Sequence, residues 1–393
     1  MTKKALIIGG GIAGPVTAMA LQKAGIDSVV YEAYGRTSDG VGAFLTLAHN
    51  GLEALRILDL HDLVCDLGVD TPAFRMYNAK GKELVRMSNQ ARTLDRSDLY
   101  TALRDEAVRR GIKIEYGKRL VSFDGSTATF ADGSTATGDF VVGADGLRSR
   151  VRELIDPKAP RARHIGLLNT GGYARGIKVA GNVGEANFIF GKRAFFGYFI
   201  HPSGEVWWFA NPPAKTEPTQ AELAGVDWRA TLIDLYKDDA GPMLDIIAAT
   251  EKIIPGWNTY DFPTVPQWHN DKMVLVGDAA HATSPSSGQG ASMAIEDAIV
   301  LAKCLRDFPG TREAFAAFEN LRRARVERVV AHGKRSGDGK SPGPVGALIR
   351  DLMMPMILRQ VEKKNALSWM FDYRIDWAAS EKPSRATRGS AAR

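Results

Sequence analysis

Cysteine is nearly absent: Cys65 and Cys304 stand far apart in 393 residues and form no Cys-x-x-Cys. That excludes a disulfide framework and a thiolate metal centre, and it suits a reducing, cytoplasmic setting. The seven histidines show neither i, i+4 pairing nor carboxylate spacing, so no metal is expected. No run of about 18 apolar residues occurs, and no membrane partner is expected. Charge of one sign is not clustered either. The 51 basic and 45 acidic residues are interspersed, so the net charge of +6 reads as a solvated basic surface rather than a nucleic-acid face. The opening Met1-Thr-Lys-Lys, an apolar run and Ala18-Met19-Ala20 imitate a secretion signal, but cleavage there would destroy the glycine motif that the same residues carry. No internal repeat is present, and the length suggests roughly two domains.

What the chain has is three strand-turn-helix motifs. Ala5-Leu-Ile-Ile8 reads as a buried strand, and Gly9-x-Gly11-Ile12-Ala13-Gly14 follows it and opens an apolar helix. A second strand, Ser28–Tyr31, ends in Glu32 and Ala33. This order is that of a dinucleotide fold: glycines allow close approach to a pyrophosphate, and the acid can hold the ribose hydroxyls of an adenosine half. An acid in that place disfavours a 2′-phosphate, so NADPH is not expected there.

Further on, Met273–Val276 delivers Gly277 and Asp278 into a loop, Ala279 through Gly290-Ala291, with Pro285 and Gly288 as turn residues. The layout suits a flavin. Asp278 can accept from a ribityl hydroxyl, while N–H groups opening the next helix face the pyrimidine edge, where reduction places negative charge. The third motif, Asp139-Phe-Val-Val-Gly143-Ala-Asp145, runs into Arg148, Arg150 and Arg152. Either Asp145 and the arginines serve a pyrophosphate or NAD(P)H, or the turn is a capped helix start.

These three elements, in this order, resemble the class A FAD-dependent aromatic monooxygenases with the para-hydroxybenzoate hydroxylase fold over roughly residues 1 to 335. In type the chain is similar to small tetracycline-inactivating enzymes and antibiotic-pathway hydroxylases. The resemblance implies an α/β fold: a Rossmann-like FAD-binding domain (1–71, 95–170 and 265–335), an inserted mixed-sheet substrate domain (72–94 and 171–264), and a C-terminal bridging helical segment (336–379). Residues 380–393, basic and polar, are expected to be disordered. The family signature is kept in Glu32, Arg36, Gly40 and Gly42, and the helix that starts near Arg96-Ser97 matches as well. Relatives place the residue at Arg96 against the flavin; otherwise it simply precedes a Ser97 cap. Asn50 reads as the N-cap of the next helix, and His49 is either a packing or a cleft residue.

The stretches Phe188–Phe190, Phe195–Ile200 and Val206–Pro212 alternate and are rich in aromatics. They read as strands with one face on a core and the other free for a flat ligand, with Phe196, Trp208 and Asn211 as candidate substrate contacts. Met353, Met354 and Met356 read as either an adaptable cleft lining or flexible core packing.

Only one dinucleotide fingerprint occurs, so NADPH or NADH would bind transiently against the same noncovalent FAD. The resemblance then implies O2 activation as a flavin C4a-hydroperoxide and hydroxylation of an aromatic or polyketide-like molecule by a monomer or weak dimer. No side chain suggests itself as a general base, so the catalytic residues stay unassigned. Epoxidation, N-oxygenation, halogenation and ligand sequestering without turnover are the alternatives, although the Trp-x-Trp-x-Ile-Pro motif of flavin halogenases is missing.

Overall fold

The computed structural model describes residues 3–35, 43–340 and 343–382. Near-continuous apolar runs make the inner strands of a five-stranded parallel sheet, ordered Met273–Leu275, Phe140–Gly143, Lys4–Ile8, Asp27–Tyr31, Lys113–Glu115. Such strands are buried on both faces, and Leu6, Ile7, Val141 and Val274 are fully enclosed. The helices Ala13–Lys23 and Gly290–Asp307 pack against each other in the same core.

The second sheet is mixed and has eight strands. Its order is Ile254–Asp261, Arg163–Ala174, Val206–Asn211, Phe195–Ile200, Ala186–Phe190, Val69–Asn78, Glu83–Asp95, Phe44–Ala48. It curls, because Phe44 on one edge strand comes within 5.7 Å of Trp207, five strands away. Tyr173 closes the curl by donating to Asp95 Oδ2 at 2.8 Å. The sheet also takes in Phe44–Ala48, and single strands run through the expected limits at 71, 94 and 170. Backbone pairing, which ignores side-chain composition, decides those edges.

The amphipathic segment from Thr311 is one helix of 28 residues, Thr311–Asp338. A second helix, Gly343–Lys363, carries Pro355 inside it and packs on strand Glu83–Asp95. Core packing does not hold for Met353 and Met356, which are exposed on that helix. The aromatic C-terminal stretch is strapped down: Arg325 donates to Trp369 O and Arg306 to Trp377 O, and each lies over a nearby ring. Order continues past 380, because Lys303 pairs with Glu381, whose N–H donates to Asp307. Residues 383–393 lie outside the described set. Among the described residues no helix is long and apolar enough to cross a membrane.

Candidate functional site at the strand ends

Four neighbouring strands of the parallel sheet each hand one motif to the same edge. Along that edge stand Asp278, Asp145, Gly9 and Glu32, following Leu275, Gly143, Ile8 and Tyr31 on four adjacent strands. The carboxyl ends of such strands are where α/β sheets bind nucleotides.

The glycines are sterically required. Gly9 has φ +110°, and a Cβ there would meet Ala144 O at 2.3 Å; at Gly14 it would meet Gly9 O at 1.9 Å. Helix Ala13–Lys23 starts from Ile12 with no side-chain cap and no acid in its first turn. Its first N–H groups are therefore free for an anion. Helix Gly290–Asp307 starts from Gln289 in the same way, behind Gly288 in the left-handed region at φ +61°. Pro285 and Gly288 are exposed on this loop, while Gly290 and Ala291 are half-buried at the helix start.

The acids differ in their surroundings. Glu32 accepts from Gly10 N at 2.6 Å and from Tyr34 N at 2.9 Å, with Ala33 half-buried beside it. Asp278 reaches open space but is walled in by protein on its other sides. That desolvation pushes its pKa up against the pull of His281 and Arg96, whose charge acts on it although 182 positions separate them in sequence. Asp145 Oδ2 accepts from Arg150 N and Val151 N, while its Oδ1 is buried with no partner among the described residues. It thus holds the first turn of helix Arg150–Ile155, which Ser149 caps, and keeps one spare acceptor, so the two readings of this motif coexist. A cradle with two uncapped helix starts, a spare acceptor and no room for side chains at Gly9 and Gly14 fits a dinucleotide.

Several residues differ from their sequence readings. Arg152 is buried over Phe262, donates to Ala279 O and Leu147 O, and cannot reach a phosphate; it braces the Asp278 loop from behind. Arg148 is exposed and free to meet an anion. The helix at Arg96 is capped by Asp95, which accepts from Ser97 N, so Ser97 is not the cap and Arg96 projects exposed from the first turn. Arg36, Gly40 and Gly42 lie outside the described residues.

Phe196 and Trp208 are not cleft residues. Both are fully buried on the sheet face that packs against helices Trp228–Tyr236 and Met243–Ala248, stacked on each other 5.2 Å apart, with Trp208 Nε1 bound to Thr250. Side chains alternate along a strand, so the opposite face carries Phe188, Phe195, Trp207, Phe209 and Asn211. Phe44 joins Trp207 and Phe209 there, and Phe44, Phe188 and Phe209 are half-exposed. The expected aromatic wall exists one residue out of step with two of the named contacts.

A buried ionic network under the flavin-type loop escaped the sequence reading. Asp297 accepts from Gly277 N at 2.9 Å and Arg322 Nε at 2.7 Å, and lies 2.5 Å from His281 Nε2. Burial alone would raise its pKa, but His281 and Arg322 hold it down at about 2. Glu296 next to it pairs with Arg322 and Arg325 and accepts from Asn50 Nδ2. Asn50 is therefore a tie between helices and not a cap; its other contact is Gln289 Oε1, at the start of helix Gly290–Asp307. The signal was there to read: two acids inside an apolar helical run, matched by Arg322 and Arg325 one turn apart on a later helix. His49 begins the short helix His49–Arg56, half-buried beside Glu53.

The FAD binding domain family matches residues 2–332. Among curated relatives, 2-heptyl-3-hydroxy-4(1H)-quinolone synthase of Pseudomonas aeruginosa is 33% identical over 368 residues, covering 86% of this chain and 91% of its own. Among solved structures, HpxO of Klebsiella pneumoniae complexed with FAD and uric acid superposes with a TM-score of 0.78 at 24% identity, covering 94% of this chain and 96% of that one. Tetracycline destructase Tet(55) does so with a TM-score of 0.71 at 20% identity, covering 97% and 98%. With the strand-end cradle and these likenesses together, the chain belongs to the FAD binding domain family of FAD-dependent monooxygenases.

Proposed function

We propose that this monooxygenase uses NADPH or NADH and O2 to hydroxylate an aromatic or polyketide-like small molecule bound between the FAD cradle and the inner face of the curled sheet. The observation that carries this reading is the half-exposed aromatic face formed by Phe44, Phe188 and Phe209, in a chain whose strand ends fit FAD. FAD, when bound, supplies the redox chemistry: it takes electrons from the nicotinamide and activates O2.

In this reading Gly9, Gly11, Ile12, Ala13 and Gly14 hold the pyrophosphate and Glu32 and Ala33 the adenosine ribose. Arg96, Asp145, Gly277 and Asp278 take the ribityl and phosphate side, and Pro285, Gly288, Gly290 and Ala291 the flavin edge. Asp278 orients the cofactor by accepting hydrogen bonds. Backbone N–H groups at Gly290 and Ala291 stabilise negative charge, and the aromatic face excludes water and aims the substrate. Residues 1–71, 95–170 and 265–335 form the cofactor unit, and 72–94 with 171–264 the substrate unit. Exposed Arg148 is the candidate for the nicotinamide nucleotide's phosphate.

The test is a panel of aromatic and polyketide-like compounds assayed for NADPH oxidation and for product mass. A true substrate should speed oxidation roughly tenfold or more, about 1.4 kcal/mol of barrier, and gain one oxygen. Fast oxidation without any ligand would mean an oxidase or reductase. Ligand binding with no oxidation would mean a sequestering flavoprotein.

A further inference from the structure

Two cations stand over the aromatic face, one with no ionic partner and the other with one terminal nitrogen unsatisfied among the described residues. Lys340 lies two residues beyond helix Thr311–Asp338 and is 7% exposed. Its Nζ sits 4.1 Å from the Phe195 ring centre and 5.7 Å from that of Phe209, and donates to Asn211 Oδ1 at 2.6 Å. Asn211 is held in that pose because its Nδ2 donates to Leu168 O and Asn169 Oδ1. No carboxylate among the described residues pairs with Lys340. An ammonium has three donors, and this one spends a single donor on a neutral amide. Arg350, on helix Gly343–Lys363, stacks 4.6 Å over Phe190, whose ring meets Phe195 at 5.1 Å. Arg350 pairs with Asp351 through one side of its guanidinium, and its other terminal nitrogen is buried with no partner among the described residues.

The approach to the cofactor loop depends on one small residue. Gly333 lets the long helix come down on Thr283 to Ser287, because a Cβ there would meet Ser287 Cβ at 2.9 Å. Lys340 follows seven residues after Gly333 and contacts the aromatic face, so the chain that packs on the loop also carries the cation. A buried unpaired charge is costly and persists where something compensates it. Here that compensation is missing among the described residues.

We propose that Lys340, oriented by Asn211 and assisted by Arg350, is the substrate-recognising cation of this enzyme, and that its substrate is a flat aromatic carrying an ionised acidic oxygen group. The inference rests on the cleft assignment made under Proposed function and narrows its substrate class. A planar ring lies along the partly exposed Phe188 and Phe209 while its oxyanion takes the free ammonium donors. Burial lowers the Lys340 pKa to about 7, so anion binding should be strongest below neutrality and should draw a proton onto the lysine. Burial alone lowers that pKa: of the charged groups on helix Gly343–Lys363, Arg350 with its partner Asp351 reaches the aromatic face through Phe190, and Asn211, Phe195 and Phe209 on the sheet carry no charge.

The experiment titrates FAD-loaded enzyme with matched acid and amide pairs: 2-hydroxybenzoate against 2-hydroxybenzamide, 2-naphthoate against 2-naphthamide, quinoline-4-carboxylate against its carboxamide. Flavin absorbance reports binding, independently of turnover. At about pH 6 at least one acid should bind tenfold or more tighter than its amide, and that preference should decay toward pH 9 as the ammonium is lost. Lys340→Met should abolish the preference with the amide's affinity retained, and Lys340→Arg should keep it and remove its pH dependence. Equal binding of acids and amides, no binding of any acid, or a preference that survives Lys340→Met would each overturn the proposal. A Lys340-dependent anion preference without oxygen transfer to any ligand would sustain the subsite and sink the hydroxylase reading instead.

Discussion

At the residue scale, Asp278, which opens to solvent on one side, and the buried Lys340 are each expected to reveal their role by what their removal changes. Asp278 has no hydrogen-bonding partner among the described residues to lose, so Asp278→Ala should leave the fold intact and weaken FAD binding by about 1 to 3 kcal/mol, the usual worth of a desolvated charge-assisted bond. Titration of apoprotein with FAD checks this, and an unchanged dissociation constant removes Asp278 from the site. Lys340 makes an opposite prediction for stability. Its native pKa near 7 lies below the unfolded value of about 10.4, so between those limits the unfolded chain holds more protons and stability rises with pH. The penalty of burying the charge is therefore full below about pH 7 and fades toward pH 10. Lys340→Met should raise Tm, most in mildly acid buffer, with the gain shrinking as pH climbs. A gain that is flat with pH, or a loss, would mean that the ammonium is well solvated in the native protein.

At the element scale, the contact that matters most is the long helix Thr311–Asp338 on the loop Thr283–Ser287. Gly333 permits it, and Gly333→Val would place carbon where Ser287 Cβ and Thr283 Oγ1 already stand. Loss of about 1 to 3 kcal/mol of stability is expected, together with weaker FAD retention, as for other overpacked contacts. Gly225→Ala is the matched control: its Cβ would stand 3.6 Å from Glu222 O, an ordinary contact, at a helical φ. Equal effects of the two changes on FAD would contradict the tight approach. Beneath the same loop, Arg322 is fully buried between Glu296 and Asp297. Removing it leaves two buried carboxylates short of a partner, and Arg322→Met should cost about 3 to 5 kcal/mol. Asp297, held at about 2, contributes stability that is present above its unfolded pKa of about 3.9 and lost as pH falls through the native value. Acid unfolding followed by circular dichroism should start at higher pH in Arg322→Met than in the parent. Superimposable acid limbs would show that the arginine does not govern this carboxylate.

At the scale of the whole molecule, the residues proposed to hold the cofactor stand at four strand ends that meet only when the parallel sheet is complete. FAD binds the folded chain and finds no such cradle in the unfolded one. Added at about 100 times its dissociation constant, it should therefore stabilise the protein by about 2.7 kcal/mol. Glu32→Ala should need more FAD for the same gain, because the ribose loses an acceptor and Gly10 N its partner. A Tm indifferent to FAD concentration would place the cofactor contacts in a part of the chain that unfolds separately.

How much of this was legible in the sequence depended on the range of the interaction. The glycine turn at Gly9 to Gly14, the acids Glu32, Asp145 and Asp278, and the buried strands before them rest on local rules of backbone sterics and apolar runs, and so they read directly. Reading failed where the answer lay across the fold. Phe196 and Trp208 differ from Phe195 and Phe209 by one step of a two-residue period, and only packing against helices Trp228–Tyr236 and Met243–Ala248 fixes which face is covered. Arg152 shares a basic cluster with Arg148, but its guanidinium is taken by Ala279 O and Leu147 O. Asn50 looked like a cap until Glu296, 246 positions away, claimed its amide. Lys340 carries no motif at all. The sequence by itself determined the nucleotide-binding elements, because short-range sterics force them; which charges are buried, and what faces the cleft, was decided by tertiary structure, because desolvation and pairing are set by neighbours that the chain brings together only on folding.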